Sequence, residues 1–585
     1  MSLHKIKIAI FDLTGCEGCE FHLLSLNEFL LDFFQDFEIV NWRLVAEKEK
    51  ADFDIAFVEG AVTTKNQIKL LKEIRETSKI VVVLGACAIS GNIFKLTSEK
   101  RKKLALKIYN KNYQLKAKFL EPVEKFIKID EKIPGCPFDV ELFKKTLEKF
   151  KAKKQISKIK KVTPPDFIAK IEGHGTLKIN FKEKKVLFEV AESERLIEGL
   201  LVGKDFLQAP FVNSRICGIC PVAHNLCSWL AIENALSIKV EPETIILRKI
   251  LLAAQIIKSH TLHLFFLVLP DYGKTKSAID FSKKYPAEFH LMLNLKRTAD
   301  KILEIVGGSP MFPSNTMLGG FKNPPEMEKL FLIKNFIFEV VDEAEDLIKI
   351  FSNLKIPELK TDTKFLTIAP VDNSYPLYPA SLDFVKNELI KEIIKKNSPA
   401  KLGVLKNGEV VKTGAIARLN CFHSILNLKA KRAFQKLDFD FQNPFNNNLA
   451  QAIEILHFLE EIINLIDEIS IKNLKNAKGI DFLKTPCILK QKLVVGNACI
   501  EAPRGILFHQ TKIDFQGKII DYNIIPPTQI NLACLEKETQ ELIKKQKKNS
   551  SPHSAKGFGE TRQKQKKEIQ ELIRAFDPCI TCAVH

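Results

Sequence analysis

The chain has 585 residues, several times the usual domain of roughly 100–200 residues, so more than one core is expected. Hydrophobic residues make up 45% and charged residues 27%, a globular balance that excludes a disordered chain, a fibre and a small disulfide scaffold. Lys+Arg 89 against Asp+Glu 70 leaves +19, but the basic residues mix with acids or gather in the stretches Lys149–Lys161 and Lys544–Lys567, so nucleic acid is not an expected partner.

In chain order, Lys5–Asp12 reads as a buried strand, Glu20–Phe34 as a helix, and Glu38–Val45 and Asp54–Glu59 as strands. Thr64–Thr77 reads as a helix, and Lys79–Leu84 as a strand that runs into Gly85-Ala86-Cys87. This alternation predicts an α/β domain over 1–150, with helices on both faces of a parallel sheet. Ligands in such sheets sit beyond the carboxyl ends of the strands, where Cys16, Cys19 and Cys87 fall. Residues 151–165, rich in Lys and closed by Pro164-Pro165, read as a linker. Over 166–585 a hairpin-like stretch (Phe167–Val190) leads into helical patterns at Glu243–Phe266, Ala287–Val306, Pro325–Phe351 and Asn448–Asn473. Strand-like segments return at Lys492–Cys499, Gly505–Gln510 and Lys518–Ile525. This predicts a mainly α-helical domain with small β elements.

The longest apolar runs, Ile80–Ala86 and Leu262–Pro270, read as a buried strand and part of a core helix, short of the roughly 20 residues of a membrane span. The start, Met1-Ser-Leu-His-Lys-Ile, has no signal-peptide pattern, so a cytoplasmic protein with reduced thiols is expected. Thirteen cysteines then point to metal ligands or buried thiols. Three Cys-x-x-Cys pairs occur, Cys16/Cys19, Cys217/Cys220 and Cys579/Cys582, and each is half of a four-thiolate site. Cys16 and Cys19 with the single Cys87 and Cys136, all near Gly or Pro, favour a [4Fe–4S] cage over a zinc site, which more often shows two pairs. Cys217/Cys220 with Cys579/Cys582 make a second four-thiolate site, for which nickel, zinc and iron all remain open. Joining pairs so far apart in sequence is tolerable, because loop-closure entropy grows only logarithmically with length. Cys227, Cys421, Cys487, Cys499 and Cys534 read as buried thiols.

The motifs Ile171-Glu-Gly-His174, Arg195-Leu-Ile-Glu198, Arg215-Ile-Cys-Gly-Ile-Cys220 with His224, Glu501-Ala-Pro-Arg-Gly505 and Asp577-Pro-Cys-Ile-Thr-Cys-Ala-Val-His585 resemble, in type and order, the large subunit of a [NiFe] hydrogenase. Residues 1–150 resemble its small subunit without the later cluster-bearing region, a flavodoxin-like fold. Phe37-Glu-Ile-Val-Asn-Trp42, Val58-Glu-Gly-Ala-Val62 and Gly85-Ala-Cys-Ala88 most resemble the cytoplasmic, NAD(P)-linked or sulfur-reducing members (group 3). Both subunits share one chain.

The resemblance implies nickel held by Cys217, Cys220, Cys579 and Cys582, with Cys220 and Cys582 bridging to an iron that carries CO and cyanide. It implies Cys579 as first proton acceptor, with Arg504 the rival, and Glu172 as the carboxylate that passes the proton on. Asp271 and Asp577 would orient Arg504, Pro527 and Thr528 would flank the cyanides, and His224 would support a bridging sulfur. Glu198, His585 and the carbonyl of Ile524 would hold Mg2+ or Fe2+. Cys16, Cys19, Cys87 and Cys136 would bind one [4Fe–4S] cluster, so electrons must leave to a partner: iron–sulfur and flavin NAD(P)H subunits, or a ferredoxin. Maturation proteins and an oligomer are compatible with the family. Most of its large subunits lose a C-terminal extension after nickel insertion, whereas this sequence stops at His585; a chain encoded to that point would need no such cut. Met311-Phe-Pro replaces a frequent His-Pro, and Gln529-Ile530 interrupts the usual Thr-Trp after Thr528. A hydrogen sensor with the same metals is the second reading the sequence allows.

Overall fold

The computed structural model describes residues 5–47, 51–151, 161–180, 183, 185–372, 374–380, 390–469, 473–481, 492–548 and 555–585. Most of the expected linker, 152–160, and Cys487 lie outside the described residues.

Five strands, β1 (Ile6–Asp12), β2 (Phe37–Trp42), β3 (Ile55–Glu59), β4 (Ile80–Leu84) and β5 (Glu131–Ile133), form one sheet in the order β2-β1-β3-β4-β5. Every neighbouring pair is parallel, with Asp12 opposite Glu59 and Glu59 opposite Leu84 at the carboxyl edge. β3 is buried along its whole length, as a central strand covered on both faces must be, and this is why the sequence shows unbroken apolar runs here rather than alternation. The order reverses between β1 and β3, which opens a crevice beyond their ends. Cys16 and Cys19 follow β1, and Cys87 lies in the short helix Gly85–Ser90 directly after β4.

The segment expected as one helix over Glu20–Phe34 is two, α1 (Gly18–Leu24) and α2 (Glu28–Asp36). Asn27 between them takes φ 51°, and the buried Lys296 donates to the Ser25 carbonyl (2.9 Å) and the Asn27 side chain (2.7 Å). A distant ammonium therefore satisfies the break that the apolar spacing alone does not announce.

Beyond the sheet, the helices Pro242–Leu262, Pro286–Gly307, Met327–Ser352 and Asn447–Glu468 pack on one another. Against Pro221–Leu236 lies an antiparallel sheet of Leu493–Ala502, Gly505–Asp514 and Ile519–Ile525. The hairpin expected over Phe167–Val190 pairs Gly175–Asn180 with Lys185–Val190. Pro242–Tyr272 is long and apolar enough to cross a membrane by composition, yet its apolar stretch is buried inside the protein. Its π-helical turn His263–Val268, a distortion frequent at functional sites, turns His263 toward Gln451 (2.6 Å) and the Arg574 carbonyl (2.8 Å).

Candidate functional site

The two remote Cys-x-x-Cys pairs converge. Cys217 Sγ is 3.4 Å from Cys579 Sγ, and Cys220 Sγ is 3.1 Å from Cys582 Sγ. All four are buried, and burial pushes the thiols of Cys217, Cys220 and Cys582 up. Those three thiols, without water to solvate a charge, are poor acids alone, whereas a soft cation takes them as thiolates and repays their burial. The donor set fits nickel as well as any soft metal. His224 Nε2 lies 3.7 Å from Cys582 Sγ, and its other nitrogen is 3.2 Å from His509, which is 3.0 Å from the Tyr522 hydroxyl. The Thr528 hydroxyl accepts the Cys579 N–H (3.1 Å) at the start of the helix Pro527–Lys548, so Thr528 steadies Cys579 directly.

Beside the sulfurs runs the loop of Glu172. Its carbonyl accepts the Ile580 N–H (3.0 Å), which binds the loop to the C-terminal turn. Gly173 takes φ 75°, and a Cβ there would stand 2.8 Å from Ile580 Cβ; the approach needs glycine on both counts. Arg504 donates from Nη2 to Glu172 Oε1 (2.6 Å) and Asp577 Oδ1 (2.7 Å), from Nε to the Asp577 carbonyl (2.7 Å) and from Nη1 to Ser259 (3.2 Å). Gln451 holds the other oxygen of Asp577 (3.0 Å). Burial raises the Glu172 carboxyl well above its ordinary value; Arg504 pulls it down, while the neighbouring Cys579 and Asp577 push it up. Its Oε2 is buried without a partner.

The same loop is gripped from the N-terminal sheet. Arg43 donates to the carbonyls of Ile171 (2.8 Å) and Gly173 (2.9 Å), on either side of Glu172, and pairs with Asp12 (2.6 Å) and Glu17. The Gly173 N–H donates to Glu17 (2.8 Å). Burial pushes Glu17 up to about 7 and Glu59 to about 8.

Cys16, Cys19, Cys87 and Cys136 line one cavity together with Gly15, Gly60 and Gly135, which fits a thiolate-bound cluster. The Asn92 amide reaches Cys87 and Cys136 Sγ at 3.7 Å each. Burial drives the Cys16 and Cys19 thiols well up and Cys87 to about 12, so here too a cation must pay for the thiolates. Cys136 is exposed, giving the cage an outlet to solvent. Cage and quartet touch: Gly218 donates its N–H to the Cys16 carbonyl (2.8 Å), and a Cβ on Gly218 would stand 2.4 Å from Gly18 Cα. Gly218→Ala is expected to force these turns apart and cost about 1–3 kcal/mol, the usual range for overpacking, with loss of both metal centres; a chain of unchanged melting temperature and metal content would show that the contact can yield.

One expected placement differs. Asp271 does not serve Arg504: it binds Arg574 and Lys170, in the short helix Leu269–Tyr272 that follows the π-helical turn, and Asp577 with Ser259 holds Arg504 instead. Ile524, expected beside Glu198, donates its N–H to that carboxylate (2.8 Å). His585 Nε2 is 3.4 Å from Glu198 and buried without a hydrogen bond, a donor set that a divalent cation would complete. Lys401, invisible to motif reading, lies 3.3 Å from Glu198 and 3.2 Å from Glu392. Cys227, Cys499 and Cys534 are buried as expected, whereas Cys421 is exposed. Arg43, Ser259 and Gln451 also escaped sequence reading, since single residues with no spacing pattern give no signal.

Known proteins agree with this geometry. Residues 195–291 and 406–585 match the nickel-dependent hydrogenase family, and residues 16–150 match the NADH ubiquinone oxidoreductase 20 kDa subunit family. The chain is 32% identical to sulfhydrogenase 1 subunit alpha of Pyrococcus furiosus over 439 residues, 72% of this chain and 97% of that protein. It is 23% identical to the NAD-reducing hydrogenase HoxS subunit beta of Cupriavidus necator, over 72% and 94%. A crystal structure of an NAD+-reducing [NiFe]-hydrogenase superposes with TM-score 0.61 at 22% identity, covering 71% of this chain and 97% of that one. A Ni-Fe-Se hydrogenase of Desulfovibrio vulgaris Hildenborough gives 0.54 at 22%, over 71% and 98%. With the sulfur quartet closed and its relatives covered almost end to end, the chain belongs to the [NiFe] hydrogenases and joins a small-subunit-like and a large-subunit-like part in one polypeptide.

Proposed function

We propose that this chain is the catalytic module of a cytoplasmic hydrogenase. It would divide into a flavodoxin-like domain over 1–150, a linker over 151–165 and a catalytic domain over 166–585. The strand order β2-β1-β3-β4-β5 supports the flavodoxin-like reading. The convergence of the four cysteines 217, 220, 579 and 582 carries the rest.

When bound, the Ni–Fe centre would supply the Lewis acidity for heterolytic cleavage of H2, which overall yields two protons and two electrons. Everything else falls to the chain. Glu172 lies beside Cys579, and its Oε2, buried without a hydrogen-bond partner, is the atom free to take a proton from that side. Arg504 fixes the other oxygen of Glu172, so the carboxyl has one orientation rather than several. Burial favours the protonated form of Glu172 and Arg504 opposes it, so the carboxyl is balanced between two forms, as a relay group must be. Glu17, one peptide group away, offers the next carboxyl. Burial of the quartet keeps water off the sulfurs.

Cys16, Cys19, Cys87 and Cys136 would hold a single [4Fe–4S] cluster, which would supply the one-electron chemistry needed to carry charge away from the quartet. The exposed Cys136 supports delivery to a separate redox partner, iron–sulfur and flavin NAD(P)H subunits or a ferredoxin. Glu198 and His585 would hold Mg2+ or Fe2+ near the C-terminus. The test is the whole chain purified without oxygen: infrared bands of CO and cyanide, nickel and iron on analysis, and dye reduction under H2. Zinc with no such bands would end the reading.

A further inference from the structure

Arg195 has no role in the account so far, although it opens the Arg195–Glu198 motif. It is fully buried, and its guanidinium donates only to main-chain carbonyls: Nη1 to Arg215 (2.9 Å), and Nη2 to Ile216 (2.7 Å) and Thr581 (2.6 Å). Ile216 immediately precedes Cys217, and Thr581 precedes Cys582. One planar fork thus fastens both Cys-x-x-Cys turns from behind, a geometry a lysine cannot reproduce.

The charge itself has no counter-ion. Among the described residues no carboxylate pairs with Arg195, and its Nε is buried without a hydrogen-bond partner. Such a cation is costly unless something anionic repays it. On its other side the guanidinium lies 5.6 Å from the Phe94 ring centroid. Phe94 ends the short turn Asn92–Phe94, whose Asn92 amide reaches Cys87 and Cys136. Arg195 therefore sits between the N-terminal cage and the quartet.

We propose that Arg195 is a positioning residue that staples the two halves of the sulfur quartet, and that its unpaired charge keeps the neighbouring cluster easy to reduce. This rests on the reading that the N-terminal cysteines hold an iron–sulfur cluster. Each electron taken from H2 adds one negative charge to that cluster, and a fixed positive charge in a buried setting stabilises the reduced form. The staple explains the three carbonyl bonds; the charge explains why an arginine is tolerated there with no partner.

The experiment compares the full chain with its R195K and R195M variants, purified anaerobically. Nickel content and the cluster's midpoint potential, from a redox titration followed by electron paramagnetic resonance, are the readouts. R195M is expected to make cluster reduction roughly tenfold less favourable, about 59 mV more negative for one electron, with reduced nickel content. R195K should lose nickel, for want of the fork, yet keep the potential of the parent. A parent-like potential in R195M, or an equal fall in R195K and R195M, would overturn the role of the charge. Full nickel in both variants would overturn the staple. If R195M does not accumulate, R195Q takes its place under the same criteria. Absence of any cluster signal in the unsubstituted chain would instead remove the reading beneath the proposal, which keeps the two failures distinct.

Discussion

Replacing Glu172 by Gln is expected to slow H2-driven dye reduction and H/D exchange by roughly 10²–10⁴-fold, the usual worth of a positioned acid–base group, while nickel and iron stay in place. Burial already favours the protonated carboxyl, and the neutral amide imitates that form in size and charge. Its oxygen can still accept from Arg504 Nη2, and Arg504 keeps its bonds to Asp577 and Ser259. The main-chain bond from Ile580 to the carbonyl of residue 172 does not depend on the side chain. What the amide cannot do is take up and release a proton at Oε2. Exchange at the parental rate in a fully metallated variant would remove Glu172 from the proton route and leave Arg504 as the candidate base.

Replacing Cys579 by Ser should abolish activity and empty the quartet of nickel. A hydroxyl is a hard, weakly acidic ligand where the site offers soft sulfur, and the buried surroundings give its alkoxide no solvation. The hydrogen bond from its N–H to Thr528 survives, so the turn itself should persist. The N-terminal cage shares no ligand with the quartet, and its cluster signal should remain. Measured together, nickel content and cluster resonance separate a lost ligand from a misfolded chain. A serine variant that kept nickel and oxidised H2 would show that Cys579 is not a ligand.

Much of the architecture was legible because the physics is local. Val81, Val82 and Val83 in β4 and the buried run of β3 announce strands covered on both faces, and the cysteines just past those strands fall where a reversed strand order opens a crevice. The long helices came through for the same reason: Pro286–Gly307 and Met327–Ser352 carry apolar residues at helical spacing. The break at Asn27 did not, because it depends on Lys296, 269 residues away in sequence.

The site divides in the same way. Cys217, Cys220, Cys579 and Cys582 were readable from their spacing, and Glu172, Arg504 and Asp577 from the resemblance of their motifs. Asp271 misled, since a motif position does not say which arginine a carboxylate meets, and the fold gives it Arg574. Arg43 and Lys401 leave no trace in the sequence. Each is one cation among 89, and only the folded chain shows that Arg43 grips the Ile171 and Gly173 carbonyls on either side of Glu172 while Lys401 stands between Glu198 and Glu392.

X-ray absorption at the nickel edge tests the central claim most directly, because it counts the atoms around the metal. The account predicts nickel bound by four sulfurs with an iron neighbour, and loss of one sulfur in any nickel retained by C579S. Nickel surrounded by nitrogen and oxygen, or a quartet filled by zinc, would contradict it.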